Sequence, residues 1–271
     1  MVTGPTSALR EQAREWGRAL LDAPQWADVP DRVTLLTITP AAGYDDEARS
    51  IVLWLTIDIP AARSLPNEYA ALIRDEVIIE KRSATPGTLV AMTDASLHRL
   101  LQGTSRASVE ARWSVRHAEA IVDRLHRLDE FNVRANMLPE DALERIVRAL
   151  WLDLHAAAGS LDTIEAHPRN SLPVAGEAAA AVARLAVALE EGAYPPAELL
   201  MRAVRETRIG KRLGVWLDDL GSAVSGDAEA ARRVVASREQ ALTEVRDVVG
   251  ERWRSRPWWR DPEAYVLRAP R

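Results

Sequence analysis

The chain has 271 residues, of which 47% are apolar and 28% charged, with a formal net charge of -5. That length suits one large domain or two small ones with a real core. The mild negative balance gives no bulk electrostatic reason to expect nucleic acid, and the absence of cysteine excludes disulfides, thiolate catalysis and cysteine zinc sites.

Ser7 is placed to cap a first helix of about sixteen residues, with Glu11 near its start. Leu9, Ala13, Trp16, Ala19 and Leu20 recur at helical spacing, and Pro24 stops the run. This N-terminal stretch turns charged at once and lacks the apolar segment of a signal peptide. No window approaches about eighteen uncharged apolar residues, so no membrane association is expected and the expected location is cytoplasmic.

A β-branched run predicts a strand over Val33–Thr39, and a loop over 40–50 leads to a second strand over 51–59, ended by Pro60. Residues 66–82 start helical, but 76–80 read as extended. Strand follows at 87–92, a short helix at 95–101 and a further short strand at 120–122. The alternation of Val109, Ala111, Trp113 and Val115 predicts a strand over 109–115, with Glu110 and Arg112 on its other face.

Beyond residue 138 the pattern becomes helical. Pro139 opens and Gly159 closes one helix, and 173–191 is another. A third runs from the Pro195–Pro196 pair to about 220, and a last one spans 228–249 before Gly250. The tail, RWRSRPWWRDPEAYVLRAPR, is aromatic and basic, and is expected to lie against the body of the protein. The predicted class is α+β: a mixed-sheet domain over 1–135 and an all-α helical bundle over 136–271, with the cleft between them as the default ligand site.

The segment 36–54, LTITPAAGYDDEARSIVLW, resembles the signature of the nucleotidyltransferase fold of the DNA polymerase β superfamily, in its antibiotic-nucleotidyltransferase branch. That signature is a leading helix, a strand, a loop L-x-G-S-x-A-x-G, and a second strand opening S-D-x-D. Leu36, Ala41, Gly43 and Ser50 match, while Ile38 and Thr39 replace the loop glycine and serine. Ile51 and Leu53 occupy the two acidic positions, and Glu110 best matches a third acid expected on a later strand. The resemblance implies a nucleotidyltransferase-like domain followed by a helical domain that helps hold the acceptor. It also implies Thr39, Gly43 and Ser50 as ligand-binding positions.

The substitutions carry chemical meaning. Residues at i and i+2 on a strand share a face, so two carboxylates there could jointly hold divalent metal. Isoleucine and leucine offer no oxygen ligands, and Glu110 alone would make a weak site. No metal and no cofactor is therefore expected. Asp45, Asp46 and Glu47 could be displaced ligands, but acids between strands are ordinarily solvated turn formers. Asp58 falls on the strand face opposite Ile51 and Leu53, and suits a cap or a surface ion pair.

Glu110 and His155 are the candidate catalytic residues. His155 follows Trp151 by four on one helical face and could act as a base, with Asp153, Glu165 and His167 near in sequence. No G-x-S-x-G elbow supports a serine triad. Nine tryptophans stand against one phenylalanine, and Trp258 and Trp259 are expected to anchor the tail. The expected function is small-molecule binding in the cleft, without standard metal-dependent transfer or with changed chemistry. The alternatives are an active Mg²⁺-dependent nucleotidyltransferase acting on a hydroxylated small molecule, and a non-catalytic interaction or regulatory protein, with a homo-oligomer or protein partner.

Overall fold

The computed structural model describes residues 5–22, 30–39, 51–58, 60, 78–81, 87–163, 171–262 and 265. The chain divides into two compact units, Met1–Leu138 and Pro139–Arg271. The first is α+β and the second is helical, so the predicted class holds.

The first unit opens with α1 (Pro5–Leu21) and a short 3-10 turn (Pro30–Arg32). The strands are β1 (Val33–Thr39), β2 (Ile51–Ile57), β3 (Ile78–Lys81), β4 (Gly87–Thr93) and β5 (Glu119–Asp123). Among the described residues they form one sheet of order β3-β4-β2-β1-β5. Only β2 and β4 pair in parallel, with Ile51 opposite Gly87 and Ile57 opposite Thr93. The other pairs are antiparallel, and the β1–β2 register shifts between Thr37 and Thr39.

Strand alternation builds two cores. Leu35, Ile51, Leu53, Leu55, Ile57, Leu89 and Ala91 pack with Ala13 and Leu20 of α1. The opposite face meets α2 (Asp94–Gln102), α3 (Arg106–Arg116) and α4 (Arg127–Asn136). There Trp54, Val90 and Met92 pack with Leu97, Leu101, Ala111, Val115, Phe131 and Ala135.

The predicted strand over 109–115 is a helix. Ser105 caps α3, its side chain accepting from the Ser108 amide, and Arg106 pairs with Glu110 one turn on. Seven residues between Ser108 and Val115 are buried, including Arg112. Its guanidinium donates to the Leu101 and Gly103 carbonyls at 2.8 and 2.6 Å, satisfying groups at the end of α2. α4 also departs from the sequence reading, which placed no helix there. His126 precedes it in left-handed conformation, φ 53°, and Asp123 caps it through the amides of Arg127 and Leu128 at 2.8 and 2.9 Å.

The second unit contains α5 (Glu140–Ser160), α6 (Ser171–Glu191), α7 (Ala197–Glu206), α8 (Arg208–Arg212), α9 (Gly214–Val224), α10 (Ala228–Trp253) and α11 (Pro257–Arg260). The single helix expected between the double proline and residue 220 is three. Thr207 breaks it first, accepting from the Gly210 amide at 2.9 Å as the cap of α8, and Leu213 separates α8 from α9. α6 packs against α5, α7, α8 and α9. Its buried Ala175, Ala178, Ala181, Ala183, Ala186 and Ala188 let those neighbours approach closely. Gly226 (φ 95°) turns the chain after α9, and Asp227 then caps α10. Among the described residues, no helix is long and apolar enough to cross a membrane.

Trp258 and Trp259, in the described part of the tail, pack against their own unit. Trp258 is buried and its indole N–H donates to Glu144 Oε1 at 3.1 Å, while Arg256 holds Glu144 Oε2 at 2.7 Å. Trp259 donates to the Arg246 carbonyl at 3.1 Å and lies over Gly250, where an added Cβ would stand 2.7 Å from the ring. The Arg246 guanidinium sits 4.9 Å from the centre of that ring.

Candidate functional site

Ile51 and Leu53, at the two acidic positions of the resembled signature, are 2% and 0% exposed. They face α1 within the core, so the strand geometry that would aim two carboxylates at a metal here aims two aliphatic chains at a helix. Ala41, Gly43, Asp45, Asp46, Glu47 and Ser50 lie outside the described residues. Thr39 is described only in its backbone, opposite Val52. Glu110 is on helix α3, not on a later strand, and its Oε1 accepts from Arg106 Nε at 2.7 Å.

The other end of β2 is different. β2 and β4 run in parallel and end together, and an aspartate follows each: Asp58 after Ile57 and Asp94 after Thr93. At about 3.3 Å per residue, Asp58 stands roughly 17 Å along the strand from Leu53. It accepts from Arg32 Nε at 2.9 Å, the surface ion pair expected of it. Asp94 begins α2 and is nearly buried, with Arg127 Nε 3.5 Å from its Oδ2. Burial pushes its carboxyl above the usual range, and Thr56, Arg127 and His98 oppose that shift while Asp58 adds to it. The Thr56 hydroxyl is close enough to act on Asp94 but makes no hydrogen bond of normal geometry.

One helical turn past Asp94, His98 points Nε2 at Glu130 Oε1, 3.3 Å away, and rests its ring on Phe131. Its Nδ1 is buried and has no hydrogen-bond partner. Burial and the Arg134 charge lower its pKa, against the pull of Glu130. Glu130 itself is held on Arg127 Nη1 at 2.7 Å, which lowers its pKa. The first unit thus places Asp58 and Asp94 at the carboxyl ends of two parallel strands, with Arg127 linking Asp94 to Glu130 and Glu130 beside His98. Among the described residues, no group of three or more His, Asp or Glu has the arrangement to hold a metal ion.

Sequence reasoning missed Asp94, His98, Arg127 and Glu130 as a set. The available signal was the i, i+4 spacing of Asp94, just ahead of the helix predicted over 95–101, and His98 within it. In the second unit, His155 sits edge-on to Trp151, ring centres 4.3 Å apart. His155 Nε2 and Trp151 Nε1 are both buried without a hydrogen-bond partner. Burial lowers the His155 pKa, with Arg246 adding to the shift and Glu239 opposing it. Glu165 and His167 lie outside the described residues.

No protein-family model matches the chain, and no curated protein matches it in sequence. Among solved structures, it is similar to a nucleotidyltransferase-like protein from Exiguobacterium sibiricum 255-15, at 14% identity. The match covers 90% of this chain and 80% of that chain, with a TM-score of 0.42.

Proposed function

We infer that this is a nucleotidyltransferase-like protein that has given up metal-dependent transfer and retains small-molecule binding. The observation that carries the reading is the complete burial of Ile51 and Leu53 behind α1. Loss of a carboxylate pair by exposed replacement would leave a vacant metal position. Here the positions have become core, and a carboxylate at either would be an unpaired buried charge. Asp58 is a poor substitute, because it follows the opposite strand face and is engaged by Arg32. Glu110 is engaged by Arg106 and lacks the strand placement that the family pattern requires.

Calorimetry with Mg²⁺ and each nucleoside triphosphate tests the reading. Nucleotide binding, where present, is expected to be unchanged by Mg²⁺ or by chelator. Micromolar binding that appears only with Mg²⁺ would overturn the reading in favour of an active transferase. In that event Glu110→Gln is the next variant, and unchanged metal affinity in it would remove Glu110 from the site.

A further inference from the structure

Glu140, Glu144, Trp151 and His155 follow one another at helical spacing along a single stripe of α5. That stripe meets α10, which runs antiparallel: Arg252 pairs with Glu140 at one end, and Arg238 with Asp162 at 2.6 Å at the other. α11 closes this seam as a strap. Trp258 and Arg256 hold Glu144 of α5, while Trp259 lies over Gly250 of α10. Arg246 grips the Trp259 ring twice, through its carbonyl and through its guanidinium.

His155 belongs to the same seam. Its Nε2 is buried without a hydrogen-bond partner, and the Trp151 ring stands edge-on to it. The charges that act on it come from α10: Arg246, which opposes protonation, and Glu239, which favours it. Glu239 is also paired with Arg238, at 3.0 Å. On the side of α6, Arg184 acts on Asp153. A neutral imidazole with its proton on Nδ1 leaves Nε2 bare, whereas an imidazolium carries a donor on both nitrogens. Protonation therefore places a donor and a charge where no acceptor waits and where Arg246 already supplies positive charge. The side chain that repels the imidazolium is the one that holds Trp259. We propose that His155 is an acid-sensitive latch for α11: once protonated it displaces Arg246, and the Trp258–Trp259 strap leaves the α5–α10 seam. The released form binds the proton more readily, so the ratio of released to held strap rises as pH falls, by at most about tenfold per pH unit for one proton. The latch lies within the second unit and is independent of the fate of the metal positions.

The test is hydrogen exchange at the indole N–H groups of Trp258 and Trp259, followed by NMR on the full chain and corrected for the intrinsic exchange rate. The titration runs from about pH 7.5 to about pH 5.5, above the ordinary carboxylate range. Protection of both indoles is expected to fall several-fold over that span, to a ceiling of about tenfold. Trp216, whose indole donates to the Val234 carbonyl at 3.2 Å, should keep its protection and so report that the unit stays folded. His155→Gln should flatten the response of the strap, and His98→Gln should leave it unchanged. The wild-type chain supplies a second measure that needs no variant: the ¹³C titration of His155 and the response of the strap must share one midpoint. Indole protection that does not change with pH, an unaltered response in His155→Gln, separate midpoints, or equal loss of protection at Trp216 would each overturn the latch.

Discussion

Leu53 is fully buried in the core beneath α1. Leu53→Ala should cost about 2–5 kcal/mol, the range for a buried leucine, and Leu53→Asp should cost more because it adds an unpaired buried charge. The double variant Ile51→Asp/Leu53→Asp is expected to unfold at lower denaturant without gaining Mg²⁺ affinity, checked by denaturation midpoint and metal titration. A second residue-level prediction concerns acid. The folded His155 pKa lies below its ordinary 6.5. The unfolded chain therefore binds the proton more readily, and stability is lost as pH falls through and below 6.5. His155→Leu should flatten this part of the thermal stability profile, measured as Tm against pH. Asp94 carries the opposite sign. Its raised pKa favours the folded protein below its ordinary 3.8 and loses that contribution as pH rises through the folded value.

Gly250 and α11 form a lock between two helical segments. A Cβ at 250 would meet the Trp259 ring at 2.7 Å, so Gly250→Ala should displace the ring from its hydrogen bond to Arg246. A red-shifted tryptophan emission with helix content retained is the expected signature, and an unchanged spectrum would count against the lock. The sequence exposes some elements well and hides others for physical reasons. β1, β2 and β4 are legible because β-branched runs end at turn residues. α3 is hidden because it is buried on most faces, which erases the helical period, and Val109, Ala111, Trp113 and Val115 happen to alternate. Its true signals were Ser105 as cap and the Arg106–Glu110 spacing. The gathering of Asp58, Asp94 and Arg127 depends on the parallel pairing of β2 with β4, a long-range fact that no local pattern records. That residues 51 and 53 offer no carboxylate, by contrast, is read directly from Ile51 and Leu53.

The two units carry separate cores, with the division between Leu138 and Pro139. In the second, Trp151, Leu154, Val182, Leu185, Val187 and Leu220 are buried among helices that pack within the unit. A fragment over 139–271 is therefore expected to fold alone, with helical circular dichroism and a cooperative melt. A broad, non-cooperative transition would show that it depends on the first unit. The sheet of that first unit has a consequence for association. Among the described residues its borders are β3, four residues containing Glu80 and Lys81, and β5, five residues that begin with Glu119 and end with Asp123. Glu119 is further engaged by Arg10 and Arg14 of α1. An incoming strand would find a short, charged template at either border and little ladder to extend. Such borders disfavour growth of this sheet into fibrils or strand-swapped dimers.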